Sequence, residues 1–331
     1  MEQKQLIDGY GRTLDYLRLS VTDRCNFRCY YCMPEEGINF APRKDLLSFH
    51  EMFELAALFV SLGVKKVRIT GGEPFVRNGI IPFLQRLAAL NGLEEITVTS
   101  NGTLSAMHRT ALKELGISKI NISLDSLDPG RFFRITRRDA FNEVYKGIFD
   151  MLNDGFDIKL NCVVAPNKNI EDVLSFIELT KDYDLAVRFL EEMPFNGGGG
   201  SNQLETWNYQ QIYQHIAGSY QQIEPLTDAP TSTSVNYRIY GYKGTFGVIP
   251  SFSRTFCGTC NRIRLSATGE LRTCLYGPPV MNLRDAIRGG APVSVMEDGI
   301  LSAISRRAKN GHEAEAISGG QLHTSMSVLG G

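Results

Sequence analysis

The feature that most restricts how this chain can fold is a sixfold alternation of strand-like and helix-like segments. Strand patterns occupy 14–21, 64–70, 95–99, 118–124, 157–165 and 185–191, and helical periodicity fills 48–62, 79–91, 105–115, 141–153 and 169–182. Ser48-Phe-His-Glu51 reads as a capping box opening the first helix. Six β-α units with short connections call for a parallel sheet with right-handed crossovers. Six is short of the eight of a closed barrel. The expected fold is therefore α/β, an open partial (β/α)6 TIM-like barrel over 1–194, with a separate C-terminal region over 195–331.

In such sheets chemistry gathers beyond the carboxyl ends of the strands. The unusual loops fall there: three cysteines after strand one, Gly71-Gly-Glu-Pro74 after two, Ser100-Asn-Gly102 after three, Asp125-Ser126 after four and Met193-Pro194 after six. After Pro194 the alternation stops. Gly197–Gly200 reads as a flexible loop. A helix is expected at 206–217, strands near 235–241 and 245–249, helices near 283–288 and 300–309, and a small, polar tail from Gly311.

The formal charge of −1 argues against a general nucleic-acid or membrane-surface binder. No apolar run approaches 18 residues, so no membrane span is expected. The polar N-terminus, MEQKQLIDGYGR, carries neither a signal nor a transit pattern, and a cytoplasmic protein is the expectation.

Of seven cysteines, six form two tight trios: Cys25, Cys29, Cys32 and Cys257, Cys260, Cys274. Cys162, inside an apolar run, reads as a buried structural thiol. Trios suit neither a disulfide framework, which wants an even count, nor a closed structural zinc site, which wants four ligands. Zinc at the first trio would need a histidine or carboxylate, the nearest histidine being His50. A cubane [4Fe–4S] cluster is the other solution: three thiolates hold three irons and leave the fourth open to a substrate or cofactor.

C-x3-C-x2-C with Tyr31 before the last cysteine resembles the signature of the radical S-adenosylmethionine (SAM) superfamily, whose fold is a partial (β/α)6 barrel. Gly71-Gly-Glu-Pro74 is similar to its GGEP motif, which holds the SAM amino group. The segment 257–277, CGTCNRIRLSATGELRTCLYG, resembles the C-terminal cluster segment of the molybdenum cofactor biosynthesis protein A family, the GTP 3',8-cyclases. Segments 22–34, 68–74, 123–125, 159–161, 192–195, 282–285 and the terminal Gly330-Gly331 also fit that family.

The resemblance implies two [4Fe–4S] clusters and SAM as cofactors. SAM would chelate the open iron of the first cluster and yield a deoxyadenosyl radical. That radical would take hydrogen from the ribose C3' of GTP, and the carbon radical would attack C8 of guanine. The second cluster would bind the guanine. The catalytic set would be Cys25, Cys29, Cys32, Arg264, Gly330 and Gly331. SAM would meet Tyr31, Gly72, Glu73, Ser123 and Met193. GTP would meet Arg18, Arg68, Thr99, Lys159, Arg262, Ile263 and Arg264. Further implied partners are an external electron donor and, functionally, the next enzyme, cyclic pyranopterin monophosphate synthase. The chain would act as a homodimer or monomer, with no nucleic acid or membrane partner. Two departures from the family pattern are Gly197–Gly200 and Phe75, where an aliphatic residue is commoner. The competing classes are another two-cluster radical SAM enzyme, which would carry more C-terminal cysteines, a pure electron-transfer protein with four cysteines per cluster, and a basic zinc-dependent nucleic-acid module.

Overall fold

The structure, a computed structural model, describes residues 5–195, 206–319 and 324–330. The expected loop Gly197–Gly200 and Gly331 lie outside the described residues. The alternating region forms β1 (Tyr16–Ser20), β2 (Lys66–Thr70), β3 (Glu95–Ser100), β4 (Lys119–Ser123), β5 (Asp157–Val164) and β6 (Ala186–Glu191). These six strands are parallel neighbours in chain order. The expected open parallel sheet is thus present, and it does not close.

The C-terminal region supplies β7 (Ile223–Pro225), β8 (Val235–Ile239), β9 (Thr245–Ile249), β10 (Arg262–Leu265), β11 (Glu270–Arg272) and β12 (Met281–Asn282). They continue the same sheet at both edges: β10 pairs parallel with β1, and β9 parallel with β6. The strand order is β12-β11-β10-β1-β2-β3-β4-β5-β6-β9-β8-β7. Covering both edges of the alternating region leaves neither a bare row of N–H and C=O groups there.

Local chemistry explains the helices that were legible. Phe49–Ser61 begins on a complete capping box, with Glu51 N donating to Ser48 Oγ and Ser48 N to Glu51 Oε2. Phe141–Asn153 also stands where periodicity placed it. The helix expected near 300–309 instead spans Val293–Ser305. Its first turn exposes Val293 and Val295, so the apolar stripe starts only at Met296. The tail expected to be small and polar holds two helices, Gly311–Ile317 and Met326–Leu329. Asn310 caps the former, accepting from His312 N and Glu313 N.

Period two sorts the strands into two faces. Along β5, Ile158, Leu160, Cys162 and Val164 are buried in the core, whereas Lys159, Asn161 and Val163 line a cavity. Cys162 is the expected buried thiol.

Candidate active site: two thiol trios facing one cavity

A cavity of about 650 Å3 lies at the carboxyl ends of the strands and is lined by all six clustered cysteines. The first trio sits in the loop after β1. Cys32 N and Met33 N both donate to Cys29 O, at 2.9 and 3.1 Å, which turns the loop tightly. Phe27 N donates to Cys25 Sγ at 3.4 Å, and Asn101 Nδ2 approaches it at 3.8 Å. Ser325, far along the chain, donates to Cys32 O at 2.7 Å and stands 3.9 Å from its Sγ. Burial pushes the Cys25 thiol up to about 12, with the Glu73 carboxylate adding to the effect. Burial likewise raises Cys29 and Cys32.

Gly72 lies edge-on to this loop: its N–H donates to Thr22 O, and a Cβ would collide with the backbone of Arg24. Only glycine allows that approach. Glu73 is fully buried and accepts from Phe75 N, Ser100 Oγ and Asn101 N. Burial raises its carboxyl to about 7 despite those donors. Tyr31 OH donates to Asp125 Oδ2 at 2.7 Å, and burial raises Asp125 to about 6.

The second trio has a different setting. Gly311 N donates to Cys257 Sγ at 3.3 Å. Arg307 Nη2 donates to Cys260 Sγ at 3.0 Å, and Arg262 Nη1 lies 3.7 Å from the same sulfur. Burial alone would push Cys260 up, yet Arg307 and Arg262 bring it down to about 7. Cys257 is raised by burial, although Gly311 N and Arg254 oppose the shift.

In the same cavity, the parallel register places Arg264, Arg18 and Arg68 side by side on β10, β1 and β2. Arg68 bonds to the Tyr16 hydroxyl and donates to Thr99 Oγ1 at 3.2 Å. Burial pulls Arg18 well below its usual range, and the neighbouring Arg264 adds to this. Burial also lowers Arg264 and Lys159. Among the described residues, the Nε atoms of Arg18, Arg264 and Arg188 have no hydrogen-bond partner, nor does Asn161 Oδ1. Such a row of buried, mutually repelling guanidiniums is costly unless an anion completes it.

The structure brings most of the sequence-named residues to this cavity: Tyr31, Gly72, Ser123 and Met193, together with Arg18, Arg68, Thr99, Lys159, Arg262 and Arg264. Three do not line it. Glu73 instead ties the ends of β2 and β3 together with both carboxylate oxygens. Ile263 faces the core, because it falls between Arg262 and Arg264 on a strand and opposite Leu17. Gly330, at φ 83°, packs on Ser20 and Thr70; a Cβ there would stand 2.9 Å from Ser20 Cβ. Its neighbours Met326 and Ser327 reach the cavity wall.

Residues not singled out from the sequence also line the cavity, notably Arg188, Asn121 and Arg307. Arg188 and Asn121 carried a usable signal, a polar residue within an apolar strand. Arg307 carried none, as its partner Cys260 is 47 positions away.

The donor set fits iron–sulfur clusters: two groups of three soft thiols, each facing open space. Among the described residues, no three His, Cys, Asp or Glu side chains gather as around a single metal ion. A four-iron cluster distributes its thiolates over separate irons and needs no such convergence.

The Radical SAM superfamily profile matches residues 19–180, and the Molybdenum Cofactor Synthesis C profile matches 185–313. Among solved structures, Streptococcus suis SuiB aligns with TM-score 0.61 at 14% identity, covering 91% of this chain and 72% of that one. Native anSMEcpe with bound AdoMet and Cp18Cys peptide aligns with TM-score 0.56 at 13% identity, covering 95% and 87%. At such identity these likenesses show the fold alone, while the profile match over 19–180 places the chain among radical SAM proteins.

Sequence relatives are nearer. GTP 3',8-cyclase of Listeria monocytogenes is 42% identical, over 93% of this chain and 92% of the relative. The mitochondrial GTP 3',8-cyclase of Arabidopsis thaliana is 40% identical, over 93% and 78%. Molybdenum cofactor biosynthesis protein 1 of Bos taurus is 41% identical over 92% of this chain, which spans about half (48%) of that longer protein. The chain belongs to the GTP 3',8-cyclase family of radical SAM enzymes.

Proposed function

We propose that this chain converts GTP to (8S)-3',8-cyclo-7,8-dihydroguanosine 5'-triphosphate, the first step of molybdenum cofactor biosynthesis. The observation that carries this reading is that two thiol trios and a row of buried guanidiniums face one cavity. Its volume of about 650 Å3 is within the range of small-molecule sites.

Cys25, Cys29 and Cys32 would hold the first [4Fe–4S] cluster, and Cys257, Cys260 and Cys274 the second. With SAM, the first cluster supplies the one-electron chemistry that removes a hydrogen atom from the substrate. The chain's own task is positioning. Tyr31, Gly72, Ser123 and Met193 would receive SAM, with Glu73 holding the Gly71-Gly72 turn in place. Arg18, Arg68, Lys159 and Arg264 would bind the triphosphate, for which bidentate guanidiniums are suited, and Thr99 orients Arg68. Arg262 stands beside Cys260, where it could meet the guanine as well as the thiolate. Ile263 packs into the core between Arg262 and Arg264 and supports their strand rather than meeting substrate. Gly330 and Gly331 would complete the site from the C-terminal end.

An external reductant and the next enzyme, cyclic pyranopterin monophosphate synthase, are its proposed partners, and it would act as a homodimer or monomer. No helix among the described residues is long and apolar enough to cross a membrane. A cytoplasmic place of action is proposed because clustered free thiols suit a reducing compartment.

The reading is tested by anaerobic reconstitution followed by SAM, GTP and a strong reductant. Roughly eight irons per chain and conversion of both SAM and GTP are expected. SAM cleavage without loss of GTP would reject the cyclase reading.

A further inference from the structure

The second trio is enclosed by a charge cluster drawn from both ends of the chain. Asp8 is fully buried and accepts from Arg12 Nε at 2.6 Å, with Arg307 Nη1 3.7 Å from the same oxygen. Its other oxygen accepts from the Tyr10 and Arg12 amides at 3.0 Å. Arg12 donates to Cys257 O at 2.8 Å, to Ala308 O at 2.8 Å and to Lys309 O at 2.7 Å. Arg307, its side chain 3% exposed, donates to Cys260 O at 2.7 Å and to Cys260 Sγ at 3.0 Å.

In this group one carboxylate faces two guanidiniums, leaving one positive charge aimed at a sulfur. A buried cation left unbalanced is costly, and a thiolate ligand of a cluster completes it. Hydrogen bonds and positive charge at cluster sulfurs also stabilise the more negative, reduced state. The first trio differs at its sulfurs, although Arg28 donates to Cys25 O at 2.7 Å. Its thiols meet an amide, a carboxamide and a hydroxyl, and the carboxyls of Glu73 and Asp125 are buried nearby.

We infer that Arg307, braced by Asp8 and Arg12, is a positioning residue that holds Cys260 as a cluster ligand and raises the reduction potential of the cluster on Cys257, Cys260 and Cys274. The inference rests on the proposed function, because it takes the second trio to be a cluster site. Reduced at a higher potential than the first, the second cluster keeps its electron away from SAM.

The test uses the full chain with Cys25→Ser, Cys29→Ser and Cys32→Ser together, so that only the second trio can be reconstituted. Roughly four irons per chain are expected. No uptake of iron or sulfide here would reject the cluster reading of this trio, and the inference with it. With iron present, the midpoint potential is read by electron paramagnetic resonance during redox titration, without GTP, so a lost substrate contact cannot mimic a shift.

Arg307→Gln should make reduction about tenfold less favourable, a downward shift of about 59 mV for a one-electron couple. Arg307→Lys, keeping the charge without the fork, should fall between. An unchanged potential in Arg307→Gln at full iron overturns the inference. If Arg307→Gln holds no iron, Arg307→Lys decides: four irons at a lowered potential support the inference. Full iron at an unchanged potential, or loss of iron from both variants, overturns it.

Discussion

The two cysteine trios share a cavity but not an electrostatic setting. The first lies in a loop of the barrel where Arg28 donates to Cys25 O. Among the described residues its sulfurs meet only neutral donors, two carboxyls are buried nearby, and its thiols are all pushed up. The second lies beside guanidiniums, and Cys260 comes down to about 7. Each is fastened by a distant part of the chain: Ser325 holds Cys32 O, whereas Arg12 holds Cys257 O. Equal ligand counts therefore do not make equal sites. In the proposed function, sulfurs without a cation partner suit the stronger reductant, and a guanidinium at a sulfur suits the cluster of higher potential.

The largest expected effect breaks the pair apart. Cys29→Ser should abolish SAM cleavage and leave roughly four irons. Cys260→Ser should also leave about four, but retain SAM cleavage while losing GTP conversion. Iron counts and deoxyadenosine release distinguish the two, and identical outcomes would erase the proposed division of labour.

Next in size is the arginine row. Arg264→Gln or Arg18→Gln should weaken GTP binding about ten- to a hundredfold, as expected for one charge-assisted contact of about 1.5–3 kcal/mol. SAM binding measured by calorimetry should stay the same.

An effect of similar size concerns pH on the first side. Glu73 has its carboxyl at about 7 in the fold, above the ordinary 4.5. The folded chain therefore binds this proton more tightly than the unfolded one. Its contribution to stability is fully present below about 4.5 and is lost as pH rises, levelling off above about 7. The slope is at most about 1.4 kcal/mol per pH unit. Urea unfolding of Glu73→Gln should show a flatter pH dependence than the parent; parallel curves would contradict the burial argument. Last, Ser325→Ala removes the hydrogen bond to Cys32 O and should cost about 1 kcal/mol. Hydrogen exchange should quicken at the C-terminal segment and the first cysteine loop, and not around Cys257.

The barrel and both trios were legible because their signals are local: period two in the strands, a capping box at Ser48, cysteines a few residues apart. The short helix Pro129–Thr136 carries a local signal of the same kind, an Asp128 cap followed by proline. What joins distant parts of the chain was not legible. The pairing of β10 with β1, and Arg12 with Cys257 across 245 positions, depend on a folded sheet that brings the ends together. The partners of Glu73 were not legible for a related reason. A carboxylate in a glycine turn suggests a ligand for an ammonium, but Ser100 and Asn101 occupy it.

The most direct test of the division between the trios uses two reconstituted chains, one lacking the first trio and one lacking the second. Each is followed by electron paramagnetic resonance as SAM or GTP is added. SAM should perturb only the cluster on Cys25, Cys29 and Cys32, and GTP only the cluster on Cys257, Cys260 and Cys274. Both ligands perturbing the same cluster, or GTP leaving the second unchanged, would contradict the account.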